Sequence, residues 1–141
     1  MTCLEPGQIL TEIALPMVPG QRSTFLKYAM RNTLDFGLAS VAISTRYSSG
    51  RCTGCSVVFG SLAAIPWRSQ GAEEALEGAQ LNHQSIEAAA DAAVAGAEPL
   101  SHNEYKIALT RKLLATSQGA KAVNYFYDRG KEGKLVQITI E

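Results

Sequence analysis

A hairpin of two strand-like segments is the feature that most constrains the fold of this 141-residue chain. From residue 38 to residue 47, apolar side chains alternate with small or polar ones, which is the period of a strand with one buried face. The sequence SSGR then supplies a turn, and CTGCSVVFGSLAAI returns as a second strand. We expect Pro66 to end this strand, because a proline cannot donate to a central strand ladder.

The segments after Gly71 have the character of helices. AEEALEGAQL contains good helix formers, with acids in the first turn, where the helix dipole favours them. Ser85 can cap a second, alanine-rich helix, and Ser101 with Glu104 forms a capping box before a long third one. Strands followed by helices predict an α+β fold, in which a small antiparallel sheet of three to four strands is covered on one face by about three helices. The other face of the sheet then needs a cover.

Further segments flank this unit. Residues 24–30 are rich in aromatic and β-branched side chains and predict the first strand. Before them, prolines and glycines surround a short extended segment from Ile9 to Leu15. At the other end, GKLVQITIE alternates like a strand and follows a charged linker that contains glycine.

The composition excludes several classes of function. Basic and acidic residues balance at 13 each, so no strong field attracts the chain to nucleic acid or to an anionic membrane. The apolar runs are too short to span a bilayer and the N-terminus lacks the order of a signal peptide, which predicts a cytoplasmic protein with reduced cysteines. Neither glycine-rich phosphate-loop motif occurs, so a complete nucleotide site within the chain is not expected.

The motif CTGC, with Cys52 and Cys55, is the strongest local candidate for a metal or redox site. Residues three apart in a regular strand point to opposite faces, however, and no second cysteine or histidine pair lies at metal spacing. We therefore interpret the two thiols as packed side chains and keep a thiol-based metal or redox protein as an alternative. No nucleophile signature accompanies His83 or His102, so both are interpreted as surface residues.

Two further groups of residues have a structural and a functional interpretation. Trp67 and Arg68 could form a stacking site for a ring, but a tryptophan that packs at the edge of the core is the simpler interpretation. Glu73, Glu74 and Glu77 are expected to form a solvated helix face, as runs of charge usually do.

Lys27 lies in a segment that otherwise has the character of a core strand. On a strand it shares a face with Phe25 and Ala29, so its ammonium must extend to an edge or meet an acceptor. Both alternatives are open on the residues alone.

Four segments, in this order and spacing, resemble the C-terminal domain of the flavin subunit of molybdenum hydroxylases. Xanthine dehydrogenase and carbon monoxide dehydrogenase represent that family. The similarity extends over about residues 5–116 and is carried by EPGQILTEIALP, FLKYAMRNTLDFGLASVAIS, VVFGSLAAIPWRSQGAEEALEG and PLSHNEYKIALTRKLL.

The resemblance implies a domain that follows an FAD-binding domain, which carries most of the cofactor contacts. The family's residues that touch FAD from the C-terminal domain correspond here to Leu10 and Lys27. A lysine at the flavin edge would stabilise negative charge on the ring. No catalytic residue and no metal ligand is implied in this chain. Iron–sulfur clusters and molybdopterin belong to partner domains or subunits, and electrons pass through the clusters to FAD and then to NAD+ or another acceptor.

The resemblance also divides the chain. Residues 1–20 are expected to be an extended lead-in from an absent FAD domain, residues 21–130 the C-terminal-like domain, and residues 131–141 a linker and the start of an iron–sulfur domain. One departure is Ser61, which stands where relatives commonly carry the second of two glycines. The alternative function is a stand-alone protein-interaction module of the same fold without flavin.

Overall fold

The computed structural model describes residues 4–14, 18–30 and 35–118. The strand-like GKLVQITIE and the expected linker lie outside these residues. The described part contains four strands followed by three helices: β1 (Gln21–Tyr28), β2 (Ala39–Ser48), β3 (Arg51–Gly60), β4 (Trp67–Arg68), α1 (Gln70–Leu76), α2 (His83–Val94) and α3 (Tyr105–Gln118).

The strands form one antiparallel sheet in the order β1-β2-β3-β4. The predicted hairpin is β2 and β3, and its loop is Ser49 and Gly50, with φ of 51° and 78°. Positive φ at both loop residues is typical of the type I′ turn, whose twist matches that of the strands. β3 ends at Gly60, well before Pro66, because the chain leaves the sheet at Ser61 with a φ of 64°.

The hydrophobic core lies between the sheet and the three helices. Paired residues on adjacent strands point into it in rows, because directly opposed residues in an antiparallel sheet share a face. The helices contribute small and large side chains to the same cluster. Within the described ranges, no helix is long and apolar enough to cross a bilayer. The sheet therefore has one covered face, as predicted. Its two core rows are Leu26–Val41–Phe59 and Thr24–Ile43–Val57. The helix residues in the core are Ala72, Leu76, Ala89, Ala90, Ala93 and Leu114.

The helix starts differ in detail from the predictions. The Ser69 hydroxyl accepts from the Ala72 amide and caps α1. Asn82, rather than Ser85, is the N-cap of α2, and Ser85 returns the bond as the other half of the capping box. α3 begins only after both Ser101 and Glu104, so the capping box predicted there does not start it.

A β-bulge interrupts the β2–β3 ladder. Ser44 pairs with Ser56 but Arg46 pairs with Thr53, so one β2 residue opposes two β3 residues. The extra residue is accommodated at Gly54, whose φ is 59°, as is typical of a glycine bulge. The bulge shifts the alternation by one residue.

The bulge overturns the expectation that the two cysteines point to opposite faces. Cys52 and Cys55 are both buried and both belong to the core cluster. A three-residue spacing on a regular strand would separate them, but the additional bulged residue restores them to one side.

Candidate functional site

The face of the sheet opposite the helices carries mostly small side chains. Strand register assigns its residues, because each cross-strand pair lies on one side. We call this surface the open face, and its rows are Lys27–Ser40–Gly60, Phe25–Ala42–Val58–Arg68 and Ser23–Ser44–Ser56. No described helix packs on it, since the helix residues of the core lie on the other side.

Apart from Lys27 itself, the row that contains Lys27 has only small side chains, at Ser40 and Gly60. A Cβ added at Gly60 would lie 2.5 Å from the Ser40 hydroxyl oxygen, so a side chain at this position would require Ser40 to move. On the next row, Phe25 has 49% of its surface exposed. Ser40 itself is only 9% exposed, so the accessible surface here is formed by Lys27, Phe25 and Ala42. A small side chain beside a cation and an aromatic ring allows a flat, polar or anionic group to approach closely.

Lys27 combines both of the alternatives left open by its sequence. Its side chain is exposed, and its ammonium donates to the main-chain carbonyl of Asp35 at 3.0 Å. The ammonium has three donors, and this bond uses one of them. An acceptor within the chain thus holds Lys27 at the edge of the open face.

Two loop residues near Lys27 were not predicted from the sequence. Asp35 supplies the acceptor, and a Cβ at Gly37 would lie 3.0 Å from Lys27 Cγ. The loop is joined to β1 where the Leu38 amide donates to the Tyr28 carbonyl at 2.8 Å. The only sequence signal for this loop was Gly37, which lies between Asp35 and the start of β2.

Leu10 lies apart from the sheet in sequence, on the extended segment 4–14. It is 64% exposed, and its apolar neighbours Ile9 and Ile13 are exposed as well. An extended segment with repeated exposed aliphatic side chains presents surface that a neighbouring domain could bury.

The outer edge of β3 is completed by carboxylates of α1, which corrects the prediction of a solvated acidic face. Glu77 accepts from the amides of Gly54 and Cys55 at 3.1 and 3.2 Å. Glu73 accepts from the Val57 amide at 2.9 Å and from the Arg68 guanidinium at 2.8 Å. These acids replace the ladder bonds that the short strand β4 does not provide.

Electrostatics at Glu73 follow from these bonds. Its side chain is 13% exposed, and burial acts to raise the pKa of the carboxyl. The hydrogen bonds from Arg68 and the Val57 amide, with the Arg68 charge, outweigh burial and lower the pKa below its usual range.

The surroundings of Cys52 and Cys55 disfavour the thiolate form of both side chains. Burial raises the pKa of both the Cys52 and the Cys55 thiols, against hydrogen bonding with Thr45 that lowers it. The Thr45 hydroxyl oxygen lies 3.3 Å from Cys55 Sγ. Both cysteines are unpaired, and no cluster of three metal-binding side chains exists among the residues that the structure describes.

The remaining sequence candidates occupy structural positions. His83 and His102 are exposed, His83 at the start of α2 and His102 in a turn. Trp67 stacks on Phe59 with ring centroids 6.0 Å apart, and Arg68 pairs with Glu73. Trp67 is thus the edge of the core rather than an isolated stacking platform.

Residues 24–118 match the family model described as the CO dehydrogenase flavoprotein C-terminal domain. The chain belongs to this family. The match covers β1 from Thr24 onward, the other three strands and the three helices, and it includes Lys27 but not Leu10.

Curated relatives of the chain include an FAD-binding subunit and a medium chain of two oxidoreductases. The chain is 34% identical over 116 residues to the aldehyde oxidoreductase FAD-binding subunit PaoB of Escherichia coli, covering 82% of this chain and 33% of that protein. It is 29% identical over 100 residues to the carbon monoxide dehydrogenase medium chain of Afipia carboxidovorans, covering 71% of this chain and 33% of that protein. The chain spans between 33% and 43% of the length of the curated relatives it matches.

A solved structure of the family has the same fold. Reconstituted CO dehydrogenase from Oligotropha carboxidovorans superposes with a TM-score of 0.75 at 27% identity, covering 87% of this chain and 45% of that one. The α+β architecture with one covered sheet face is therefore that of the family.

Proposed function

We propose that this chain is the C-terminal domain of the FAD-binding subunit of a molybdenum hydroxylase of the xanthine and CO dehydrogenase type. The match of residues 24–118 to the flavoprotein C-terminal domain carries the proposal. On its own the domain is not expected to catalyse a reaction, because the described residues of the open face show no nucleophile paired with a base. It acts as part of an oxidoreductase.

The open face and Lys27 suit one side of a flavin site. When bound, FAD supplies the electron-transfer chemistry, passing electrons from iron–sulfur clusters to NAD+ or another acceptor. Lys27 would place its ammonium at the ring edge and stabilise negative charge there. The small, exposed side chain of Ala42 beside Phe25 would allow close approach, and Leu10 would exclude water from the apolar part of the ring.

The rest of the site is proposed to lie on other domains. A FAD-binding domain would hold most of the cofactor, and iron–sulfur and molybdopterin-binding domains or subunits would be the further partners. The named relatives, which include an FAD-binding subunit of aldehyde oxidoreductase, support this arrangement. Two buried, unpaired thiols fit a reducing compartment, so we place the complex in the cytoplasm.

The proposal is tested by changing Lys27→Met in the complete FAD-binding subunit. Loss of a partly exposed cation near the ring should lower the flavin midpoint potential by about 20–40 mV for a two-electron couple, equivalent to about 1–2 kcal/mol. Spectroelectrochemical titration of the purified subunit measures this, together with its FAD content.

Lys112→Met is the matched control, because Lys112 is an exposed lysine on α3. It should leave the potential and the FAD content unchanged. If Lys27→Met behaves like this control, Lys27 is an ordinary surface lysine. If the native complex contains no flavin at all, the domain is a protein-interaction module and the proposal is wrong.

A further inference from the structure

Gly37 and Asp35 hold Lys27 at two points along its side chain. A Cβ at Gly37 would lie 3.0 Å from Lys27 Cγ and 3.3 Å from Cδ, so Gly37 packs directly against the methylenes. The Asp35 carbonyl accepts from the ammonium at 3.0 Å. The middle and the end of one flexible side chain are thus both in contact with the same short loop.

This loop is itself tied to the sheet. The Leu38 amide donates to the Tyr28 carbonyl at 2.8 Å, one residue beyond Lys27. The Phe36 amide donates to the Asp35 carboxylate at 2.9 Å. The carbonyl that binds Lys27 therefore sits in a local hydrogen-bonded arrangement anchored at the end of β1.

The absence of a side chain at Gly37 is explained by Lys27 rather than by the backbone. Gly37 is not among the glycines with positive φ, so alanine could adopt its conformation without strain. The atoms that an alanine methyl would meet first belong to Lys27, and a flexible side chain yields by moving. An alanine at this position should displace Lys27 and leave the fold intact.

We propose that Gly37 and the Asp35 carbonyl are positioning residues that aim the Lys27 ammonium at the flavin. This inference rests on the proposed function. A free lysine loses rotamer entropy when it is immobilised. Holding the side chain in place before the cofactor arrives removes much of that loss, which is the general benefit of preorganisation.

The test compares Gly37→Ala, Lys27→Met and the double variant in the complete, FAD-loaded subunit. Gly37→Ala should shift the midpoint potential in the same direction as Lys27→Met and by at least half as much. In the Lys27→Met background it should add no further shift, because it acts through Lys27. Gly71→Ala is the matched control: its Cβ would lie 3.2 Å from the Ala92 carbonyl, between α1 and α2, and it should not change the potential.

A second measurement reports on Lys27 without flavin chemistry. Acetylation by acetic anhydride, followed by mass spectrometry, gives the modification rate of Lys27 relative to Lys112 in the flavin-free subunit. Release from Asp35 in Gly37→Ala should raise the Lys27 rate at least threefold, while Gly71→Ala should leave it unchanged.

The two hypotheses fail in different ways. If Lys27→Met shifts the potential but Gly37→Ala does not, or if Gly37→Ala shifts it equally without Lys27, the positioning role is wrong and the proposed function stands. If Lys27→Met has no effect, the flavin role of Lys27 fails, and the positioning role fails with it. An unchanged acetylation rate in Gly37→Ala overturns the positioning role on its own.

Discussion

Ser61 carries local strain at the point where the chain leaves the sheet. Its φ of 64° lies in the left-handed region, which costs a residue with a side chain roughly 1–2 kcal/mol. The strained carbonyl is held from α3, because the Lys106 ammonium donates to it at 2.7 Å. Ser61 thus adopts a backbone conformation that favours glycine.

Ser61→Gly is expected to stabilise the chain by about 0.5–1 kcal/mol. Relief of the left-handed strain outweighs the larger entropy of glycine in the unfolded chain, which costs about 0.4–1 kcal/mol. The bond from Lys106 survives, since its acceptor is main chain. Urea unfolding followed by circular dichroism measures the change.

Ser101→Gly serves as the control for this substitution, because Ser101 lies in a turn without positive φ. It should be neutral or slightly destabilising. Equal effects of the two substitutions would mean that the Ser61 backbone is not strained.

At the scale of elements, α1 and β3 depend on each other. The helix places two acids one turn apart, Glu73 and Glu77, which accept the β3 amides beside the bulge and at Val57. Without these carboxylates, the amides of a partly buried strand edge would be unpaired, which costs about 1–3 kcal/mol per group. The carboxylates of Glu73 and Glu77 therefore stabilise the edge of β3 more than they stabilise α1.

Glu73→Ala is expected to destabilise the chain by about 1–3 kcal/mol at neutral pH, because it leaves the Val57 amide without its partner. The pKa of Glu73 is lowered in the folded state, so its contribution is fully present above the pKa of the carboxyl in the unfolded chain and is lost as the pH falls through the folded pKa. Urea unfolding at pH 7 and at pH 3 should show the difference from the parent chain narrowing in acid.

Glu74→Ala is the matched control for Glu73→Ala, since Glu74 is the exposed neighbour on the same helix. It should change stability by less than about 0.5 kcal/mol at either pH. A Glu73 effect that is as large at pH 3 as at pH 7 would contradict the electrostatic explanation.

At the scale of the whole molecule, one core joins all the described helices to one sheet face and leaves the other face open. Leu114 is fully buried in this core and anchors α3 to the sheet. The arrangement concentrates the stabilising apolar burial on one side, so the open face can be flat and polar without loss of the fold.

Leu114→Ala is expected to cost about 2–5 kcal/mol, the usual penalty for a cavity in a close-packed core. Since a domain of this size has about 5–15 kcal/mol of total stability, the urea midpoint should fall sharply. Leu100→Ala, at a leucine that is 76% exposed, should have little effect. Similar losses for both would show that α3 is not anchored through Leu114.

Local patterns account for the parts of the fold that could be predicted. The alternation in β2, the SSGR turn and the switch to helix after Gly71 all report which side of a segment is buried, and that is decided within a few residues. The covered sheet face was predicted on this basis and the family from the resemblance of four segments, and both are confirmed. For the candidate site, the cofactor contacts of Lys27 and Leu10 stay predictions, and the loop that holds Lys27 was not predicted.

The amino-acid sequence by itself determined the hairpin, the order of strands and helices and the apolar face they share, because these follow from short-range periodicity and turn chemistry. Only the tertiary structure decided the one-residue bulge that brings Cys52 and Cys55 to one side, the capture of β3 amides by Glu73, and the contact of Gly37 with Lys27. Each of these three features depends on contacts between separate elements of the fold. Such contacts form only when the elements pack together, so no pattern within a single segment predicts them.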